Sequence, residues 1–301
     1  MRSLVWSCWW WSWCQVFRTK CHDGDPSDPW DLYTASHKTA LEPRLLPLRL
    51  LWAERTLQRQ DSAGWYYRHC IWFDPCHTIV PRGPRAAFNH KQARGRGKRW
   101  SSKATKDTNE KLSSSKHGRK QMNSGDKRVW WFIVLARGVV RLKVMPPDWA
   151  QTGVGVAEFV DGLPRLLADM LGAASPKPRI CFTDRGPGLY NSLTGEIVEA
   201  YHAALVRNGF RAFAGADGSQ QPADLADFFL HETVVAWVRK WFSKHPFKAV
   251  EHVDQNLRLF LERLHECERH INDAYDVHGL CHDTVKRLHT LRDHGGARMK
   301  T

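Results

Sequence analysis

Apolar positions along the chain recur in two rhythms, and their alternation predicts an α/β fold. RLLWAERTLQRQ (49–60) carries its apolar residues at helical spacing. The aromatic-rich stretch WYYRHCIWFD (65–74) reads as a strand that ends in an acid. VWWFIVLARGVVRLKVM (129–145) holds two apolar runs around Ala136-Arg137-Gly138, the pattern of a β-hairpin. Val156, Phe159, Val160, Leu163, Leu166, Leu167, Met170 and Leu171 then mark a helix that Pro164 must start or kink. RICFTD (179–184) is a short strand, again closing on an acid. A helix through Ile197, Tyr201 and Leu205 and a short strand RAFAG (211–215) follow. Two more helices are expected, a long one from about Pro222 to Phe242 and another from His252 to His270. A hairpin followed by αβ units predicts a mixed sheet with helices on its faces.

The polar segments divide the chain. Residues 1–17 open on a charge and an apolar, tryptophan-rich stretch too short to span a bilayer. Residues 18–44 are polar and punctuated by Pro26, Pro29 and Pro43. Residues 1–48 are therefore expected to be a disordered leader and linker. An α/β domain is expected over 49–246, with 82–127 as a flexible basic insertion, and a helical extension over 247–301. Gly153-Val154-Gly155 lacks the third glycine of a dinucleotide fingerprint, and no nucleotide site is expected there.

Composition narrows the class. A 301-residue chain with 42% hydrophobic and 25% charged residues is neither wholly disordered nor a polytopic membrane protein. Its formal charge of +14 points to a polyanionic partner. Between Arg82 and Arg128 stand 15 basic residues against Asp107, Glu110 and Asp126, so most of the excess sits in one segment. Arg94, Arg96, Lys98 and Arg99, then Lys116, Arg119 and Lys120, could hold nucleic-acid phosphates or serve as a nuclear-localisation patch. The eight cysteines have no CxxC spacing. Cys267-x2-His270 with Cys281-His282 is an awkward tetrahedral set, so free thiols are expected.

The candidate chemistry lies in the acids. Asp74 and Asp184 each end a strand-like run, where an α/β fold opens its sites. With a third acid from a helix they suit divalent-ion phosphodiester chemistry, because hard cations need carboxylate oxygens. Asp224, Asp227 and Glu232 compete for that place. Counted as one helix from Leu225, Glu232 falls in the middle of the apolar face, where a carboxylate needs a cation or a metal. Glu232 is the first choice and Asp224 the second.

Taken together these strings resemble the catalytic domain of mariner-type DDE transposases. Residues 49–74 resemble the helix, spacer and strand leading to the family's first Asp, and 129–145 its hairpin. FTDRGPGLYN (182–191) resembles its second-Asp motif, and QQPADLADFFLHETVVAWVRK (220–240) the run to its third acid. The resemblance implies a ribonuclease-H-like fold, with Asp74, Asp184 and Glu232 as the metal-binding triad. It implies Mg²⁺ or Mn²⁺, two per site, and cleavage of DNA by water followed by strand transfer. DNA and a second copy of the chain are the implied partners, with no membrane and no organic cofactor. The nucleus is the implied location in a eukaryote, and DNA in the cytoplasm otherwise.

A pogo-like alignment of Gln221-Pro222-Ala223-Asp224 would instead make Asp224 the third acid. Pro75-Cys76 after Asp74 and Arg185 after Asp184 depart from the family pattern, and only 48 residues precede the match. The alternative is thus a truncated, catalytically inactive nucleic-acid-binding remnant.

Overall fold

The computed structural model of the chain describes residues 45–59, 63–80, 82–83, 126–184, 186, 188–191, 196–213, 225, 228–245, 250 and 252–297. The leader to residue 44 lies outside them, as do Asp224 and Asp227. So do Arg94, Arg96, Lys98, Arg99, Lys116, Arg119 and Lys120 of the basic insertion.

Twelve elements run through the described residues: α1 (Leu45–Arg59), α2 (Ala63–His69), β1 (Cys70–Val80), β2 (Lys127–Ala136), β3 (Val139–Val144), α3 (Gly153–Leu171), β4 (Ile180–Phe182), α4 (Glu199–Arg207), β5 (Arg211–Ala212), α5 (Leu230–Lys244), α6 (Val253–Ala274) and α7 (Val277–Asp293). The sheet order is β3-β2-β1-β4-β5, with β1–β4 and β4–β5 parallel and β2–β3 antiparallel. This is the mixed sheet flanked by helices that the sequence predicts.

Contacts divide the chain into two compact units. The larger holds the described residues between 45 and 76, 130 and 238, and 264 and 297, and with them Asp74, Asp184 and Glu232. Its sheet is apolar on both faces, as the unbroken run VWWFIVLA of β2 requires. On one face Ile71, Phe73, Phe132, Val134 and Cys181 pack against Phe159, Leu163, Tyr201 and Leu205 of α3 and α4. Phe132 stacks on Phe159 with centroids 3.7 Å apart. On the other face Trp72 stacks on Phe182 at 5.5 Å, and Phe182 in turn meets Phe213, Tyr66 and Phe228. The helix α7 packs on α1, α2 and β3.

The hairpin turns where expected, with Ala136 paired to Val139 and positive φ at Arg137 (48°) and Gly138 (77°). Positive φ at both central residues gives the turn the twist its strands need. Gly138 also lies against α7, since a Cβ there would come 2.9 Å from His278 Cα. Beyond the turn, two side chains of α6 hydrogen-bond the outer edge of β3. Glu268 Oε2 accepts from Leu142 N at 2.6 Å while its Oε1 meets Arg141 Nη1 at 2.9 Å. Asn272 pairs with Val140 twice, accepting from its N–H and donating to its carbonyl, both at 2.9 Å.

Two expectations are corrected and a third is narrowed. Residues 65–69 are helical, and the strand begins at Cys70 and continues to Val80, so Asp74 lies inside β1 and not at its end. Pro75 is tolerated there because the pairing with β4 stops at Trp72 and Phe182, where no further donor is needed on that side. Of the two roles open to Pro164, starting the helix is excluded, because it sits within α3, which begins at Gly153 with Thr152 as its cap. The long helix starts at Leu230 rather than Pro222.

The smaller unit holds the described residues between 77 and 129 and between 239 and 263. Among its described residues Lys127 Nζ meets Asp254 Oδ1 at 2.7 Å, and Arg82 N donates to Asp126 Oδ1 at 3.0 Å. Phe242 and Phe260 stack at 6.2 Å, and Asn256 closes a two-way hydrogen bond with Val250.

Candidate active site

The parallel register between β1 and β4 governs the site. Cys70, Ile71 and Trp72 pair with Ile180, Cys181 and Phe182. Two residues beyond the last pair stand Asp74, inside β1, and Asp184, just past the end of β4. Paired strands run about 4.8 Å apart, so the register leads both aspartates out from the same end of the β1–β4 pair. Side chains alternate along a strand, so Asp74 projects to the face that carries Trp72. That face is also the one the chain enters α5 on, since Phe228 packs against Phe182 at 6.0 Å and Trp52 at 5.2 Å. Glu232 follows four residues later, in the first turn of α5. A carboxylate there is favoured by the helix dipole.

Local contacts hold the two aspartates. Gly186 N donates to Asp184 Oδ1 at 3.0 Å, an Asx-type turn just after β4. A Cβ on Gly186 would lie 2.8 Å from that oxygen and 3.5 Å from Gln151 Nε2, so the turn fits closely between carboxylate and amide. The Asp74 carboxylate accepts from the thiol of Cys76 at 3.8 Å, on the same side of β1. Both aspartates and Glu232 are half-buried, able to reach solvent and a ligand.

Glu232 does not occupy the centre of the apolar face as helical phase predicts. That place belongs to its neighbour His231, which is fully buried with neither ring nitrogen hydrogen-bonded. The His231 ring stacks on Phe229 at 5.0 Å. Burial, with a smaller contribution from the Arg287 charge, lowers its pKa to about 3. Counting phase from Leu225 assumes a helix through residues 225–229. Because α5 starts at Leu230, the buried face runs through Val234, Val235 and Val238, and Glu232 falls at its flank.

Arg287 of α7 reaches the same helix start. Its Nη2 donates to Thr233 Oγ1 at 2.8 Å and its Nη1 to the Phe228 carbonyl at 3.5 Å. No local sequence pattern singles out Arg287 or Gln151, because each reaches the site through tertiary packing. Cys76 carries a signal, the two-residue spacing from Asp74 along a strand. Among the described residues no three His, Cys, Asp or Glu side chains gather closely enough to hold a metal ion. The cysteine pattern near the C-terminus serves packing, with Cys267 and Cys281 buried and Gly138 N donating to Cys281 Sγ at 3.3 Å. No helix among the described residues is long and apolar enough to cross a membrane.

Solved structures share this architecture. The chain matches the crystal structure of the catalytic domain of Mos1 mariner transposase with a TM-score of 0.54 at 12% identity, covering 87% of this chain and 98% of that one. A pre-cleavage Mos1 transpososome matches with a TM-score of 0.55 at 12% identity, over 89% of this chain and 67% of that one. The Mos1 paired-end complex with Mn gives 0.54 at 11% identity, with 89% and 67% covered. The chain thus has the fold of the mariner transposase catalytic domain. No protein-family model matches the chain, and no curated protein matches it in sequence.

Proposed function

We propose that the chain is a DNA-cutting and strand-transferring domain of the transposase type, acting with divalent cations. The reading is supported by the β1–β4 register, from whose last pair Asp74 and Asp184 each follow by two residues, and by the packing of Phe228, before α5, on Phe182 of β4. The shared fold supports it, and among the structures with that fold is a paired-end complex with Mn.

In this reading Asp74, Asp184 and Glu232 hold Mg²⁺ or Mn²⁺, two ions per site. The chemistry such a pair supplies is activation of the attacking oxygen and stabilisation of the leaving one. Carboxylates at these positions fit the preference of these cations for carboxylate oxygen. The fit is incomplete in one respect, since the three carboxylates do not gather into a ligand cluster among the described residues. Asp184 is held by the Gly186 amide, which fixes the carboxylate before any ion arrives. DNA is the proposed substrate, and the basic runs over 94–120 hold its backbone without choosing sequence. Two copies of the chain acting together, in the nucleus of a eukaryotic host, complete the proposal.

The test is nicking of supercoiled plasmid in Mg²⁺ or Mn²⁺ by wild type, Asp184→Asn, Glu232→Gln and Asp224→Asn. Nicking by wild type that falls to background with the first two substitutions and survives the third is expected. Loss with Asp224→Asn but not Glu232→Gln would move the third ligand to Asp224. A second reading, an inactive nucleic-acid-binding remnant, draws on the Cys76 thiol that hydrogen-bonds Asp74. A folded wild type that binds DNA at low salt and never nicks it would select that reading.

A further inference from the structure

We infer that Arg287, on the C-terminal helix α7, is a positioning residue for Glu232, so that α7 belongs to the cleavage apparatus. The inference rests on the assignment of Glu232 as the third acid. Glu232 sits in the first turn of α5, where the backbone has fewest hydrogen bonds of its own. The Glu232 amide reaches back to the Phe229 carbonyl at 3.3 Å, a long bond. A carboxylate on such a turn is aimed no better than the turn is held.

Arg287 holds it from both sides. One guanidinium nitrogen takes the Phe228 carbonyl before the helix, and the other the Thr233 hydroxyl just past Glu232. The guanidinium therefore bridges the segment that carries Glu232, with a short bond to Thr233 and a longer one to the Phe228 carbonyl, and restrains its rotation about the helix axis. Placing a cation at a helix N-terminus opposes the dipole and is unfavourable by itself. A carboxylate in the same turn offsets that cost, which a purely structural tie through a neutral side chain would not incur. The base of Arg287 is itself anchored, because α7 packs along α1 and α2 with Leu288 and Leu291 fully buried.

The experiment measures Mn²⁺ binding to the full chain by calorimetry in the absence of DNA, beside the metal dependence of plasmid nicking. Wild type is compared with Glu232→Gln, Arg287→Gln, Arg287→Lys and Thr233→Val, with a thermal melt for each. Partners that bond a metal ligand directly are worth about 10- to 100-fold in affinity; Arg287 acts through the backbone turn and Thr233, so Arg287→Gln should weaken Mn²⁺ binding by about tenfold at most. The half-maximal metal concentration for nicking should rise in step, with the rate at saturating metal nearly restored. Thr233→Val removes one anchor and should shift both in the same direction by less. Arg287→Lys keeps the charge without the fork and should fall between Arg287→Gln and wild type. Weaker binding in Glu232→Gln with none in Arg287→Gln and Thr233→Val would overturn the inference and leave the proposed function standing. Binding that ignores Glu232→Gln would overturn the assignment of the third acid, and the inference with it. Should Arg287→Gln not fold, Thr233→Val and Arg287→Lys decide the matter on the same readouts.

Discussion

His231 and Glu232 are neighbours in sequence with opposite fates: the imidazole is fully buried and the carboxylate reaches solvent. A neutral histidine without hydrogen-bond partners makes the fold sensitive to acid. Its pKa is about 3 in the native chain against the ordinary 6.5 of an exposed imidazole. Between those values the unfolded chain binds a proton that the native one refuses, so stability falls as pH drops below 6.5 and is complete above it. The slope approaches one proton, about 1.4 kcal/mol per pH unit. Urea unfolding at pH 7.5 and 5.0 should show this loss in wild type and a smaller one in His231→Phe, which keeps the ring on Phe229. Equal losses in the two proteins would exclude His231 as the source. The places of Asp74 and Asp184, two residues past the β1–β4 pairing, are legible in the sequence because each follows an apolar run. The environment of Glu232 is not, since helical phase is only as good as the assumed first residue, and packing of Phe228 on Phe182 decides where α5 begins.

The hairpin is the element whose sequence and structure agree most closely, because Arg137-Gly138 between two apolar runs has few other conformations open to it. The same turn is locked from outside by α7. Gly138→Ala adds a Cβ at φ 77° and against the His278 backbone, neither of which a rotamer change can relieve. Strain of this kind costs about 1–3 kcal/mol, and calorimetry should record a melting temperature lower by several degrees. An unchanged melt would mean that α7 yields to the turn. By contrast WYYRH has the composition of a strand and folds as helix, since aromatic residues suit either state. What decides for helix is the burial of Tyr66 against Phe182 and Phe213, a contact between segments far apart in sequence. Local pattern has no access to it.

Across the larger unit, the sheet and its two apolar faces follow from element order, whereas the role of the C-terminal helices does not. They read as an extension after the domain, yet α7 lies on α1, α2 and β3 while Glu268 and Asn272 of α6 bond the backbone of β3. Replacing both residues by Ala would leave the Leu142 and Val140 amides and the Val140 carbonyl without these partners. Such groups cost about 1–3 kcal/mol each when they stay buried. Light scattering of Glu268→Ala/Asn272→Ala should show concentration-dependent self-association beyond that of wild type, while an unchanged profile would mean that this edge is not what keeps copies apart. A strand rim with bare amides and carbonyls is a template for any passing chain, and here the rim of β3 is filled by side chains of its own molecule. At the far side of the sheet β5 offers two residues, too short a template to recruit a strand. Among the described residues the rim of β3 is therefore closed to backbone pairing by its own molecule, and a second copy that joins at that edge must do so through side chains, at contacts that salt or a single substitution can undo.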